Sequence, residues 1–272
     1  MALIEIDKQT CNQCGICAAV CPTGIVYYKE GKYPRQLPGT DEICIRCGHC
    51  VSVCPTGSVI HLEIPLESCP AIDKSFKVSF QQCSQLVKSR RSVREFQDKA
   101  VPSSVIERII ETARYAPTGH NDQEVRWLVV NDRKMVGKLA AIGADWIRWT
   151  AENVSDMALL MQEALKQLDA GYDIFLRHAP ALVVAFAEKN NPVAATDCAL
   201  ALGYFDLAAN SLGLGCCWAG FFQFAVNSFP AMIEAVALPE GTASYGALMV
   251  GYPKYKYPRI PERREARIIY RT

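Results

Sequence analysis

Eight of the 13 cysteines lie between residues 11 and 54, in two runs with the same spacing. Each run reads C-x2-C-x2-C-x3-C-P. The first holds Cys11, Cys14, Cys17 and Cys21, and the second holds Cys44, Cys47, Cys50 and Cys54. Three cysteines two residues apart can wrap a tight loop around one iron–sulfur cubane, while the fourth points away towards another. The spacing therefore predicts two [4Fe–4S] clusters.

The same spacing predicts that the two runs exchange their fourth cysteines. Cluster I should then take Cys11, Cys14, Cys17 and Cys54, and cluster II should take Cys44, Cys47, Cys50 and Cys21. Structural zinc is the alternative, but zinc sites favour two pairs of ligands over four close cysteines followed by proline. With these motifs, residues 3–62 resemble the bacterial two-cluster ferredoxins. We expect His49, between two ligands, to be a surface residue.

Composition and the first residues bear on where the protein works. The start, Met-Ala-Leu-Ile-Glu-Ile-Asp, lacks the basic region and apolar run of an export signal. No stretch reaches the roughly 18 apolar residues of a membrane span. The net charge of +1 favours neither nucleic acid nor an anionic membrane as a partner. We therefore expect a cytoplasmic protein, in which cysteines serve metals or catalysis more often than disulfides.

A second group of chemically capable residues is basic. Arg90, Arg91 and Arg94 surround Ser92 within five residues. Arginine suits phosphate because its guanidinium can donate two parallel hydrogen bonds. Taken alone, a short basic run is more typical of a solvated surface.

The elements that position this group alternate between helix and strand. A helix is predicted from Phe80 towards Arg90, and another after the capping-box pattern Ser104-x-x-Glu107. A polar loop follows at Ala116–Gln123. The remaining predicted elements are strands at Arg126–Asn131, Ala181–Ala187, Leu214–Gly220 and Tyr245–Gly251, and a long apolar helix at Ala194–Leu212. No G-x-G-x-x-G loop occurs, so a dinucleotide-binding Rossmann domain is not indicated.

Four segments resemble the signature segments of the nitroreductase family: Arg90–Phe96, Ala116–Gln123, Leu212–Phe221 and Gly251–Arg264. That family consists of FMN-dependent oxidoreductases with an α+β fold, usually homodimers with the flavin at the subunit interface. The resemblance implies a ferredoxin-type domain over residues 1–64, a linker over 65–84 and a nitroreductase-like α+β domain over 85–272.

The resemblance also implies roles for individual residues. The FMN phosphate, ribityl chain and pyrimidine edge would be held by Arg90, Arg91, Ser92 and Arg94. The loop beside the flavin would comprise Pro117, Thr118, Gly119, His120 and Asn121, with Asn121 as its main hydrogen-bond partner. Gln123 matches the family pattern, whereas Glu124 and Val125 replace a Pro-Trp pair found in many relatives. The isoalloxazine would rest on Cys217, Trp218, Ala219 and Gly220, and the tail residues Arg263 and Arg264 would close over the phosphate.

Other residues admit simpler interpretations. We expect Cys69 and Cys83 to be ordinary residues, and the Cys216–Cys217 pair to be packed small side chains. Two interpretations stay open for the segment that holds Trp146, Trp149, Tyr172 and Phe175. It either forms a lid over the flavin or is a core or dimer-interface segment.

These expectations combine into an iron–sulfur flavoprotein oxidoreductase. Electrons would pass from a ferredoxin-like or NAD(P)H donor through the two clusters to FMN, and on to a nitroaromatic, a quinone or an activated alkene. One alternative is a reductive dehalogenase-type flavoenzyme. Another is an electron carrier or redox sensor without small-molecule turnover.

Overall fold

A computed structural model describes residues 2–271 and divides them into two compact units. The first unit runs to Lys77 and also takes in Gly119–Asp122. The second comprises Val78–Thr118 and the chain from Gln123 onwards. The division at residues 77 and 78 falls inside the predicted linker. The short segment Gly119–Asp122 groups with the first unit, although it lies within the stretch predicted as the second domain.

The first unit contains short elements separated by long loops. Its helices are α1 (Ile16–Ala19) and α2 (His49–Ser52), and its strands are β1 (Ile4–Ile6), β2 (Val26–Tyr27), β3 (Arg35–Gln36) and β4 (Val59–His61). Strand β1 pairs antiparallel with β4, and β2 with β3. The small core includes two of the motif cysteines, Cys17 and Cys50, beside Leu3, Ile4, Ile25 and Val51.

The second unit is built on a four-stranded antiparallel sheet. Its strands are β5 (Arg126–Val130), β6 (Ala181–Glu188), β7 (Gly215–Trp218) and β8 (Thr242–Gly251), in the spatial order β5-β6-β8-β7. Its helices are α3 (Phe80–Ser89), α4 (Ser103–Ala113), α5 (Arg133–Asn153), α6 (Ala158–Asp169), α7 (Ala194–Ser211), α8 (Gly220–Val226) and α9 (Pro230–Val236).

Helices cover both faces of this sheet. Leu182 and Val184 of β6 pack into a cluster with α5, α6, α8 and α9. The alternate residues Ala181, Val183 and Ala185 pack into a second cluster with α4 and α7. Because side chains alternate across a strand, β6 has to be apolar at nearly every position. This explains the uninterrupted apolar run that predicted it.

The structure confirms the α+β fold class, the four predicted strands and the helices at Phe80, Ser104 and Ala194. The capping box at Ser104 is wrong, because α4 begins at Ser103 with Pro102 as its N-cap residue. A capping box occurs instead at α3, where Ser79 and Gln82 bond each other's backbone N–H groups. Within residues 2–271, no helix is long and apolar enough to cross a bilayer.

The aromatic segment is divided between core and surface. Trp146 and Phe175 are buried against each other, with ring centroids 6.1 Å apart. Trp149 and Tyr172 are exposed. The core interpretation therefore holds for the first pair, and only the second pair faces outwards.

The two-sided burial of β6 generates a stability prediction. Leu182→Ala should lower the free energy of unfolding of the second unit by about 2–5 kcal/mol, since it leaves a cavity at a fully buried position. Leu159→Ala, at a position 77% exposed on α6, should change it by less than about 0.5 kcal/mol. Urea denaturation followed by circular dichroism measures both. Equal losses in the two variants would contradict this packing.

Candidate functional site

The two cysteine runs adopt matching loops in the first unit. Gln13 and Arg46 have φ values of 56° and 52°, and the glycines two residues later, Gly15 and Gly48, have 71° and 70°. These left-handed positions turn each loop sharply before α1 and α2 begin. Gln13 and Arg46 are 33 positions apart in the sequence. The same separation holds for Gly15 and Gly48, and for Cys11 and Cys44. The internal repeat is therefore structural as well as sequential.

The structure brings the cysteines together in the predicted crossed sets. Burial raises the pKa of Cys17, and charge repulsion from three nearby sulfurs adds to the rise; these belong to Cys54, Cys11 and Cys14. Burial likewise raises the pKa of Cys50 to about 11, with Cys47, Cys21 and Cys44 as its sulfur neighbours. A small cavity is lined by all four cysteines of the first set. Each loop thus receives the fourth cysteine of the other.

Hydrogen-bond donors surround the exchanged sulfurs. Burial alone would raise the pKa of Cys54, but the Thr56 hydroxyl and nearby backbone N–H groups outweigh it and leave the pKa below the usual value. One of these donors is Ser58 N, 3.2 Å from Sγ. Cys21 has a lowered pKa for the same balance of reasons, with Thr23 as the side-chain donor. Such donors stabilise the thiolate, which is the form that binds metal.

These thiol sets suit a cluster better than one ion. Among residues 2–271, no three His, Cys, Asp or Glu side chains converge closely enough to hold a single metal ion. A cubane presents four irons at separate corners, so its thiolates stand further apart than the ligands of one ion. The crossed sets, each with one buried thiol, and their N–H donors match the requirements of that larger group.

Asn121 contacts one of these loops. Its side-chain Nδ2 donates to the carbonyl oxygens of Ile45 and Arg46, each at 3.1 Å. Both carbonyls lie between the ligand candidates Cys44 and Cys47. Gly119, His120 and Asn121 therefore belong to the cysteine unit in this structure, and the role of Asn121 at a flavin stays a prediction.

The basic segment lies along strand β7 in the second unit. Val93 N donates to the Cys216 carbonyl at 2.9 Å, and Ser92 forms a parallel bridge with Cys216. Gly215 makes this approach possible, because a Cβ there would overlap the Val93 side chain. The structure thus brings Arg90–Arg94 next to Cys217, and their roles at a flavin stay predictions.

Two guanidiniums at this edge retain unused donors. Arg90 forms an ion pair with Asp206 of α7, with Nε 3.0 Å from Oδ2. The Nη1–H donates to the same oxygen at 3.2 Å, whereas the Nε–H is not directed at it. Among the described residues, Arg90 Nε and Arg91 Nη2 are buried without a hydrogen-bond partner. Buried polar groups are normally paired, so these atoms fit a site for an anion such as a phosphate.

Arg177 is a basic residue of this site that sequence reasoning missed. Burial raises the pKa of Cys217, and the positive charges of Arg94 and Arg177 oppose the rise, which puts both guanidiniums near that thiol. Arg177 has a φ of 58°, in a turn where Asp173 accepts the N–H groups of Phe175 and Leu176. A single arginine after an apolar run matches no sequence motif that would mark it as a site residue. It reaches β7 only because of this turn.

The other predicted flavin residues occupy three places. Thr118 Oγ1 accepts the Gln123 N–H at 3.1 Å, which closes the neck of the loop after Pro117. Ala219 N donates to the Ala247 carbonyl, Trp218 is 44% exposed, and α8 begins at Gly220. Arg263 and Arg264 lie in an exposed C-terminal tail, apart from any strand or helix.

Sequence and structure comparisons define the protein class. The first unit holds two crossed thiol sets, and the second holds an antiparallel sheet with a basic edge. The chain belongs to the nitroreductase family, which it matches over residues 87–252, and it carries a 4Fe-4S dicluster domain over residues 3–59.

Individual relatives match about two thirds of this chain. Iodotyrosine deiodinase of Thermotoga neapolitana is 30% identical over 188 residues, which is 69% of this chain and 96% of the relative. The NAD(P)H FMN reductase of Bacillus subtilis is 28% identical, over 66% of this chain and 71% of the relative.

Solved structures agree with the fold. An oxidized iodotyrosine deiodinase bound to FMN and 3-iodo-L-tyrosine has a TM-score of 0.55 and 29% identity, over 70% of this chain and 98% of that one. A Bacteroides fragilis nitroreductase with bound FMN has a TM-score of 0.57 at 24% identity, over 69% of this chain and 98% of that one.

The crossed thiol sets generate a prediction about Cys21. Cys21→Ser should remove one of two clusters, the one held by the second loop, while FMN binding is retained. Iron and acid-labile sulfide analysis, with FMN quantified after release, measures both. Cys83→Ser, at an exposed cysteine on α3, is the matched control and should lose neither. Retention of both clusters would contradict a ligand role for Cys21, and loss of FMN instead would contradict the division into two domains.

The unpaired guanidinium atoms generate a second prediction. Arg91→Gln should weaken FMN binding by about tenfold to a hundredfold, the worth of a charge-assisted hydrogen bond. Quenching of FMN fluorescence by the apoprotein gives the Kd. Arg148→Gln, at an exposed ion pair with Asp145 on α5, should leave the Kd unchanged. An unaltered Kd in the Arg91 variant would remove Arg91 from the phosphate site.

Proposed function

We propose that this protein is an iron–sulfur flavoprotein oxidoreductase. Electrons from a ferredoxin-like or NAD(P)H donor pass through two [4Fe–4S] clusters to FMN and then to an organic acceptor such as a nitroaromatic, a quinone or an activated alkene. The observation that carries the proposal is the presence of a dicluster domain and a nitroreductase-family domain on one chain. If NAD(P)H transferred hydride directly to the flavin, the clusters would be unnecessary.

The cluster ligands follow from the crossed thiol sets. Cys11, Cys14, Cys17 and Cys54 hold cluster I, and Cys44, Cys47, Cys50 and Cys21 hold cluster II. Each set contains one thiol that lies inside the core, Cys17 or Cys50. Burial excludes water from that side of the cluster, and the N–H donors around Cys54 and Cys21 offset the negative charge.

The flavin site is proposed at the edge of β7. Arg90 and Arg91 bind the phosphate with their unpaired N–H groups, and Ser92 and Arg94 bind the neighbouring part of the cofactor. Arg177 adds positive charge beside Cys217. When bound, FMN supplies the redox chemistry, taking up electrons and delivering a hydride equivalent. The protein orients it and provides donors for its negative charge.

A homodimer completes the proposal. The family resemblance implies it, and the C-terminal tail supports it. The side chains of Ile268, Ile269 and Tyr270 are 62%, 89% and 82% exposed. A run of large apolar residues in an extended tail would be covered in a dimer. Arg263 and Arg264 of the same tail are then available to the cofactor phosphate.

The electron path gives a direct test. A Cys14→Ser/Cys47→Ser variant removes one proposed ligand from each cluster and should keep FMN. In stopped-flow measurements, reduction of its flavin by reduced ferredoxin should slow at least about tenfold relative to the unmodified protein. A Cys69→Ser/Cys83→Ser variant should react normally. Fast flavin reduction by NADPH in the cluster-deficient variant, at the rate of the intact protein, would rule out the path through the clusters.

Reductive dehalogenation is the second candidate. It is favoured by the 30% identity to an iodotyrosine deiodinase and by the similar structure bound to 3-iodo-L-tyrosine. The same anaerobic preparation, with dithionite as donor, separates the two functions. Release of iodide from 3-iodo-L-tyrosine without reduction of nitroaromatics would favour dehalogenation, and the opposite result would favour the first proposal.

A further inference from the structure

The two cluster loops differ at one pair of equivalent side chains. The repeats run from Cys11 to Tyr28 and from Cys44 to His61, and both contain Cys-Pro-Thr-Gly after the third loop cysteine. Their last positions are a tyrosine in the first repeat and a histidine in the second. Although the backbones match, these two rings contact different atoms.

In the first repeat, the ring of Tyr28 lies over its own cysteine loop. Its hydroxyl donates to the Gln13 carbonyl at 2.7 Å. The ring occupies the space above Gly15, where a Cβ would overlap it. Within residues 2–271, no hydrogen bond joins this side chain to a sulfur atom. Tyr28 therefore fastens the backbone of the loop and leaves the thiol of Cys11 to a backbone donor, Gln13 N, at 3.4 Å.

In the second repeat, the equivalent carbonyl belongs to Arg46, and Asn121 occupies the place of the tyrosine hydroxyl. Its Nδ2 lies 3.1 Å from that carbonyl oxygen. The space above Gly48 is occupied by Ile64, 3.6 Å from where a Cβ would stand. The side chain at position 61 is therefore not needed to hold the loop in place.

The ring of His61 is directed at a ligand sulfur instead. Its Nε2 lies 3.7 Å from Sγ of Cys44. On the other side of the ring, Nδ1 accepts the backbone N–H of Glu63 at 3.2 Å. An Nδ1 that accepts carries no proton, so the proton of the neutral ring is on Nε2 and points at the sulfur. The side chain is 2% exposed, which holds the ring in this orientation.

We propose that His61 is a positioning residue that raises the reduction potential of cluster II, through an N–H···S hydrogen bond to Cys44, and leaves cluster I unaffected. The inference rests on the proposed binding of two clusters. Uptake of one electron makes a cluster more negative, and an N–H donor to a ligand sulfur stabilises that added charge. Tyr28, at the equivalent position of the first repeat, donates to a backbone carbonyl and not to a sulfur, so the ring at this position acts on cluster II alone.

The test is an EPR-monitored redox titration of the full-length protein, with dithionite as the one-electron reductant. In His61→Phe, the equilibrium constant for reducing one cluster should fall about tenfold, the net worth of a hydrogen bond to a charged group. That fall corresponds to about 59 mV for one electron. The other cluster should keep its potential. His61→Gln, which retains an N–H donor, should recover most of the loss.

Two further variants identify the cluster and control for packing. In a Cys21→Ser background, which loses cluster II, adding His61→Phe should leave the remaining potential unchanged. Tyr28→Phe removes a hydroxyl at the equivalent position but no donor to sulfur, and should shift neither potential by more than about twofold in equilibrium constant, which is below the effect of a hydrogen bond to a charged group.

Three results would overturn the proposal: unchanged potentials in His61→Phe, a shift of both clusters, or an equal shift in His61→Gln. Iron and sulfide analysis of each variant shows whether both clusters are loaded. Absence of clusters from the unmodified protein would refute the proposed function instead, so the two failures are distinguishable.

Discussion

Each cysteine loop of the first unit depends on a thiol that the other loop supplies. Cys54 lies with the first loop and Cys21 with the second. The helices that carry Cys17 and Cys50 have only four residues each, and a helix that short has no stability of its own in water. Because the core between them is small and partly made of cysteines, the unit lacks the apolar area that stabilises larger domains. Crossed ligation would join the two loops into one cooperative structure, with metal binding supplying folding energy.

The second unit differs from the first in how it is stabilised. Its sheet is buried on both faces, and its fold rests on apolar packing. The energetically unfavourable feature of this unit lies at the edge of β7, where charged guanidiniums lie among buried groups. Burial raises the pKa of Asp206, and the charge of Arg90 opposes that rise. The pair holds Arg90 in place, while unpaired N–H groups on Arg90 and Arg91 remain to be satisfied. A buried donor without a partner destabilises a fold unless a ligand completes it.

Local patterns predicted the parts of this structure that depend on sequence neighbours. Cysteine spacing is a local property, and so are the continuous apolar run of β6 and the cluster of arginines before β7. Arg177, Asn121 and His61 were beyond reach because their roles arise between distant residues. Arg177 reaches Cys217 only through the turn at Asp173, and Asn121 contacts carbonyls some 75 positions earlier in the chain. The misplaced helix start at Ser104 has a local cause: Pro102, which has no N–H to satisfy, takes the N-cap position, and α4 begins directly after it at Ser103.

The departures from symmetry in the cysteine unit have a physical logic. A repeated loop must keep the atoms that build it: the cysteines, the glycine at positive φ and a donor for the carbonyl of the left-handed residue before the second cysteine. It is free to change which residue supplies that donor. Tyr28 supplies it in the first repeat, and Asn121, from a segment remote in sequence, supplies it in the second. Once that requirement is met from elsewhere, the side chain at position 61 can turn to the sulfur of Cys44. A side chain that acts on only one of the two cluster sites lets their electron affinities differ.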